Sequence, residues 1–311
     1  MASVLNQPYF QDEAAAYAKL ESLIWPNGPV CPHCGCTDRV RPLAGKAHRI
    51  GLKKCYACRK QFRVTVGTVF ESSHIPVHQW LQAAHLMCSS KKGISSNQLA
   101  RILGVTVKSA WFMSHRLREA MRTGDFLPPL GGENKVVEAD ETYVGGKAKN
   151  RAYRKQPPKK AAVFSLVERE GEVRSVHVAN VTAATLKPVM EKVAARESTV
   201  MTDDSPVYPK AAAGFAGHET VNHSANEYVR LGGFVHTNTA EGYFSILKRG
   251  IYGTYQHVSE AHLARYLAEF DFRYNNRVAR GVDDTQRTGN ALRGIVGKRL
   301  TYGGSATPQA R

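Results

Sequence analysis

The sequence predicts an α/β protein in which a mixed sheet is preceded by a small metal-stapled module and a group of helices. Three observations carry that expectation. Two Cys-x-x-Cys pairs, Cys31–Cys34 and Cys55–Cys58, stand twenty residues apart among β-branched and basic residues. Apolar residues then recur at helical spacing from Pro76 to Met121, and beyond a Pro-Pro-Leu-Gly-Gly stretch at 128–132 the pattern changes to strands that alternate with helices.

Each element follows from local signals. Residues 10–25 form an amphipathic helix that Pro26-Asn27-Gly28-Pro29 ends. Short strands around a metal fill the next forty residues, among them the run Phe62-Arg63-Val64-Thr65-Val66. Pro76 starts a helix carrying Trp80, Leu81, Ala84 and Met87; Ser95 or Ser96 caps the next, which Gly104 stops; Val105-Thr106 leads into a third with Ala110, Met113, Leu117 and Met121. Strands follow at Val136–Val144, Ala161–Glu168 and Val173–Val178, then a helix near 183–195 and an apolar strand at Thr199–Thr202. Helices near 239–249, 259–275 and 285–296 complete the chain, ahead of a Gly-Gly-Ser-Ala-Thr-Pro tail expected to fray. The resulting divisions are a helix at 1–27, a metal ribbon at 28–72, a helical region at 73–127, the α/β domain at 132–280, and a helix with its tail at 281–311.

Composition narrows the partners. The 311 residues are 42% hydrophobic, enough for a substantial core, and 43 Lys and Arg against 26 Asp and Glu give a formal charge of +17. A field of that sign gathers polyanions, so nucleic acid is the first partner to consider. The opening segment lacks the order of a secretory signal, and no stretch approaches the roughly 18 apolar residues of a membrane span. The expected location is the cytoplasm. In that reducing compartment, paired cysteines argue for metal rather than disulfides.

Cys31, Cys34, Cys55 and Cys58 therefore read as a four-thiolate structural zinc site, which a module too small to bury much apolar surface needs. Cys36, His33 and His48 lie near enough to compete as ligands, and Cys88 reads as a small core residue. From Ser96 to Trp111 the order of apolar helix, glycine turn, short hinge and polar-opening helix is that of a helix-turn-helix. Its second helix offers Thr106, Lys108 and Ser109 at the start, then His115, Arg116 and Arg118, for phosphates and base edges. A plain helical hairpin produces much the same pattern.

The acids come next. Strand alternation puts Glu138 and Asp140 on one side of Val136–Val144 and Glu141 on the other. Asp203 and Asp204 close the apolar strand that begins at Thr199, and Glu241 opens a helix with Lys248 seven residues on along the same face. Hard divalent ions take oxygen ligands, and three converging carboxylates suffice to hold two of them for phosphodiester chemistry. Each acid alone is also the ordinary material of a salt bridge, a turn, or a capping box between Asn238 and Glu241.

The runs Glu138–Lys147 (EADETYVGGK), His236–Gly250 (HTNTAEGYFSILKRG) and Tyr266–Asn275 (YLAEFDFRYN) resemble the DDE transposases of bacterial insertion sequences, in particular the ISXO-like group with a zinc ribbon ahead of a ribonuclease-H-like catalytic domain. The resemblance spans nearly the whole chain. It implies a ribonuclease-H-like fold, DNA cleavage and strand transfer at transposon ends, and a metal-binding triad of Asp140, Asp203 and Glu241 holding two Mg²⁺, or Mn²⁺ in its place. It also implies that Lys248 contacts DNA near the scissile phosphate, with Arg249 beside it, and that the protein assembles as a homo-oligomer on DNA. Asp204 and Asn238 remain alternatives for the second and third positions. Lys147, Lys149 and the basic residues up to Lys160 read as a loop that orders on phosphates. A non-catalytic DNA-binding regulator and a nuclease that cuts without joining are the competing functions. The recognised end sequence and target preference are not legible.

Overall fold

The computed structural model describes residues 3–124, 127–146, 160–222 and 229–301. Contacts divide the chain into two compact units, one of residues 1–122 with 281–311 and one of 123–280. Lys147, Lys149 and most of the basic loop that contains them lie outside the described residues, as does His223.

In the first unit α1 (Glu13–Ile24) is capped by Asp12, whose carboxylate accepts from Ala15 N at 2.7 Å. A three-stranded antiparallel sheet follows, β1 (Val40–Pro42), β2 (Lys53–Cys55) and β3 (Gln61–Phe62). Helix and ribbon are joined by polar contacts: Lys53 Nζ reaches Glu21 at 2.7 Å, and Arg63 donates to the Tyr17 hydroxyl at 2.6 Å. Next come α2 (Val77–Ser89), α3 (Ser96–Leu103) and α4 (Val107–Met121). Pro76 leaves α2 without a side-chain cap, and Glu13 of α1 supplies one by accepting from Val77 N at 2.8 Å and His78 N at 3.1 Å. Ser95 and Thr106 cap α3 and α4 as their positions predict, and Gly104 ends α3 at φ 65°, a left-handed turn that favours glycine. The helix α9 (Asp284–Arg293) opens on a capping box between Asp283 and Gln286 and packs on α1, α2 and α4.

The second unit is built on five strands, β4 (Val136–Val144), β5 (Ala161–Glu168), β6 (Val173–Val178), β7 (Thr199–Asp203) and β8 (Gly217–Val221), ordered β6-β5-β4-β7-β8. β4, β5 and β6 pair antiparallel, whereas β7 lies parallel to β4 and β8 parallel to β7. Helices cover both faces, as a sheet buried on two sides requires. On one face Val137, Ala139, Phe164, Leu166 and Val200 pack on α5 (Ala183–Val193) and α6 (Tyr208–Ala211). On the other, Val144, Val163, Val167 and Val173 pack on α7 (Asn238–Gly250) and α8 (Glu260–Asn275). The alternation along β4 thus sends even-numbered residues toward α7 and α8, and odd-numbered ones toward α5 and α6.

The expected strands at 136, 161 and 173 and the principal helices appear within a few residues of their predicted ends. Sequence periodicity did not locate β8, whose Gly-His-Glu-Thr-Val has one buried residue, nor the π-helical turn Ile251–Tyr255 between α7 and α8. Among the described residues no helix is long and apolar enough to cross a membrane.

Candidate functional site

The four cysteines form one site. Their sulfurs all lie within 4.8 Å of one another, with Cys31 to Cys58 at 3.7 Å and Cys34 to Cys55 at 3.6 Å. A tetrahedral zinc with bonds of about 2.3 Å separates its sulfurs by about 3.8 Å, so the donor set fits that ion. Each pair is folded by the same device: the residue after the second cysteine is left-handed, Gly35 at φ 74° and Arg59 at φ 61°. The turned chain then closes on itself, Gly35 N donating to Cys31 O at 2.9 Å and Cys55 N donating to Lys60 O at 3.0 Å. Backbone N–H groups of Cys58 and Ala57 outweigh burial at Cys55 and hold its thiol at about 6, so the thiolate a metal requires forms readily there. Cys36 instead donates to Asp38 at 3.1 Å.

The acidic site belongs to the second unit. Pairing of β4 with β7 runs Val136–Thr199, Val137–Val200 and Glu138–Met201; Asp140 and Asp203 each lie two residues beyond the last of these pairs, on adjacent parallel strands. Glu241 lies in the first turn of α7 and is exposed, as are Lys248 and Arg249 two turns on. Burial raises the Asp140 carboxyl to about 7, and the charges of Glu141, Asp203 and Glu241 push in the same direction against the stabilising Glu141 N–H at 2.7 Å. Burial is thus the main cause, and the nearby carboxylates add to it. Their oxygens are more widely spread than the sulfurs, since Asp140, Asp203 and Glu241 do not form a group within 4.8 Å. Oxygen donors, crowding and partial burial are the chemistry that a hard divalent cation neutralises.

Asp203 also accepts from Ser205 N at 3.1 Å, which turns the chain toward α6, while Asp204 is exposed. From α6 the buried Tyr208 donates to Glu141, on the opposite face of β4 from Asp140. Burial raises the Glu141 carboxyl, with the Tyr208 hydroxyl acting against it and the charge of Asp203 adding to it. His218 pairs with Thr202 at 3.0 Å, and the His236 ring lies 3.2 Å from Glu138.

Sequence reasoning gave Glu138 no role, yet it is fully buried and accepts from Arg169 Nε at 2.7 Å, Thr239 N at 2.8 Å, Thr239 Oγ1 at 2.9 Å and Ala240 N at 3.0 Å. The expected Asn238–Glu241 capping box is replaced by this carboxylate from the sheet. Arg169 had no sequence signal, because its partners lie 31 to 67 positions away. A half-buried acid, Asp271 of α8, accepts from Tyr243 at 2.5 Å and from the hydroxyl and amide of Ser175 at 2.7 and 2.8 Å; desolvation of its carboxyl raises it to about 6.

In the first unit the α4 surface corrects one expectation. Lys108 and Ser109 open the helix, Lys108 exposed, but His115, Arg116 and Arg118 are buried. Arg116 donates to Glu71 O at 3.1 Å and stacks over Phe112, so it serves the packing of its own unit rather than a phosphate. Helical periodicity places 115, 116 and 118 on consecutive faces, and in a helix contacted by α2, α3 and α9 nearly all of those faces are covered.

A mixed sheet in the order 3-2-1-4-5, with acids on the two neighbouring parallel strands and on a covering helix, is consistent with a ribonuclease-H-like transposase domain. Residues 129–275 match the ISXO2-like transposase domain, and residues 11–61 match the transposase zinc-ribbon domain, a span that includes α1 as well as the cysteines. The chain is 30% identical over 283 residues to an uncharacterized protein in transposable element ISH50 of Halobacterium salinarum, covering 85% of this chain and 91% of that protein. The chain belongs to the ISXO2-like insertion-sequence transposases.

Proposed function

We propose that the protein binds the ends of its insertion sequence and catalyses cleavage and strand transfer of DNA, with Asp140, Asp203 and Glu241 as the metal-binding carboxylates. The observation that carries this reading is the crowding at Asp140, whose carboxyl is raised by burial and by the charges of Asp203 and Glu241. Those three acids come from positions 140, 203 and 241, and only the fold makes them neighbours. Asp203 is preferred to Asp204 because it ends the strand paired with β4 and its charge is felt at Asp140. Glu241 is preferred to Asn238 because its charge is felt at Asp140 and carboxylate is the better ligand for magnesium.

Two Mg²⁺ ions at this site would activate an attacking oxygen and stabilise a leaving one in an in-line displacement at phosphorus. The protein groups have separate tasks. Asp140 and Asp203 offer oxygens from a rigid sheet, Glu241 approaches from the start of α7, and Lys248 and Arg249, exposed two turns further on, hold the DNA strand by its phosphates. The zinc ribbon, Lys108 at the head of α4, and Lys147 and Lys149 add further phosphate contacts, with α3 and α4 acting as a helix-turn-helix on double-stranded DNA. The protein works in the cytoplasm as a homo-oligomer that brings two ends together.

Purified protein incubated with end DNA and Mg²⁺ tests this directly. Cleavage at the 3′ end followed by joining to a second duplex is expected, and Asp140→Ala is expected to abolish both while end binding persists. Joining by the Ala variant would remove the mechanism, and cutting that never proceeds to joining would leave a nuclease.

A further inference from the structure

We propose that Glu138 is a positioning residue: it clamps the helix carrying Glu241 to the strand carrying Asp140, and so sets the spacing at which the acidic site takes a divalent cation. This rests on the reading of Asp140 and Glu241 as metal ligands. A carboxylate with no exposed surface inside a strand is costly unless every lone pair is used. Here the donors come from two directions.

From α7 come the amides of Thr239 and Ala240 and the Thr239 hydroxyl, at 2.8, 3.0 and 2.9 Å. The first N–H groups of a helix have no partner within it, and α7 has no side-chain cap of its own, Thr237 supplying none. Glu138 satisfies them and places a negative charge at the positive end of the helix. From the turn after β5 comes Arg169, whose Nε meets Glu138 at 2.7 Å and whose other nitrogens reach the carbonyls of Phe234 at 2.6 Å and His236 at 2.9 Å. The chain entering α7 is therefore held at both its carbonyls and its first amides.

The consequence is a matter of sequence distance. Asp140 is two residues along β4 from Glu138 and on the same face; Glu241 is two residues along α7 from Thr239. A single residue on either side, Ala139 or Ala240, separates the clamp from each acid, so little slack remains for the pair to drift apart. Like charges favour that drift. A clamp that holds them fixed lowers what a cation must do on arrival.

The test uses the full-length, zinc-loaded chain and Mn²⁺ alone as probe, followed by calorimetric titration, together with the Mn²⁺ dependence of end cleavage. Glu138→Gln keeps the shape but turns an amide donor toward donors. It is expected to bind Mn²⁺ about tenfold more weakly and to need correspondingly more for half-maximal cleavage, with the maximal rate recovered at saturation. Thr239→Val removes one donor with no change of shape and should move the midpoint about threefold in the same direction. An unmoved Mn²⁺ midpoint in these variants overturns the clamp, as does a lost maximal rate at an unchanged midpoint. If Glu138→Gln does not fold, Thr239→Val decides alone by the same criterion. Asp140→Ala separates the two levels: if it fails to bind Mn²⁺ while the clamp variants titrate as wild type, only the clamp is wrong, whereas wild-type binding by Asp140→Ala overturns the metal site itself and the clamp with it.

Discussion

Replacing Asp140 with Asn should make the metal-free protein more stable at pH 8. The folded state holds the Asp140 proton at about 7, against 3.8 for an ordinary carboxyl, because burial and the neighbouring charges of Glu141, Asp203 and Glu241 disfavour the anion. Below pH 4 the group is protonated whether the chain is folded or not, and it contributes nothing. Between about 4 and 7 the unfolded chain ionises while the folded one resists, so stability falls as pH rises; above 7 the loss is complete. At about 1.4 kcal/mol for each tenfold difference in proton affinity, that span amounts to about 4 kcal/mol, reduced to about 2–3 kcal/mol for a side chain that solvent still reaches. Asn keeps the oxygen that accepts from Glu141 N at 2.7 Å and carries no charge, so it escapes the loss. Urea unfolding of the zinc-loaded protein, without Mg²⁺, is the assay. The variant should gain at pH 8 with an advantage that shrinks steadily as the pH falls from 7 toward 4, and addition of Mg²⁺ should stabilise the wild type alone. Equal pH dependence in the two proteins would refute the claim that Asp140 sits among uncompensated charges.

Cys55→Ser should lose the bound zinc and unfold the ribbon while the sheet of the second unit keeps its unfolding transition, read by metal analysis and calorimetry. Lys108→Ala should weaken binding to end DNA and lower the slope of log affinity against log salt by about 1, whereas Arg116→Ala should leave that slope unchanged and cost roughly 1–2 kcal/mol of stability, since its guanidinium is spent on Glu71 O and Phe112. Asp271→Ala should destabilise the second unit by about 2–3 kcal/mol in urea, because it strands the Tyr243 and Ser175 hydroxyls and the Ser175 amide in a buried setting.

What the sequence made legible is what local chemistry controls. Ser95, Gly104 and Thr106 act through neighbours three or four residues away, and the structure uses them as caps and turn where the sequence puts them. The cysteines announce themselves by spacing. Asp140 could be placed on a face of β4 by alternation alone, together with Glu138. The functions of Glu138, Arg169 and Arg116 could not be read, for one shared reason: each is defined by a partner distant in the chain. Glu138 could be placed in sequence only on the face of Asp140, and its helix contacts are with residues about a hundred positions later. Arg116 looks like a phosphate ligand because it is a basic residue on the second helix of a helix-turn-helix pattern, and only the packing of α2, α3 and α9 around α4 removes it from the surface.

The cysteine set and the proposed carboxylate set in this chain are built on opposite principles. The cysteines stand at the edge lengths of a zinc tetrahedron, with backbone N–H groups turned toward the sulfur of Cys55, and such a closed set leaves no coordination position for a substrate. The carboxylates are more widely spread, and a site that must admit phosphate oxygens beside the ion requires that openness. Openness has a physical cost, because loosely grouped like charges push one another apart. In this fold the opposing force comes from outside the site: parallel pairing joins β4, which carries Asp140, to β7, which carries Asp203, and the Glu138 carboxylate binds the first turn of α7 to β4. It follows that an acid with no exposed surface, two residues from Asp140, governs how the site accepts metal, and that sensitivity to substitution in this domain should extend inward from the acidic face along Glu138 and Arg169 rather than outward along the surface.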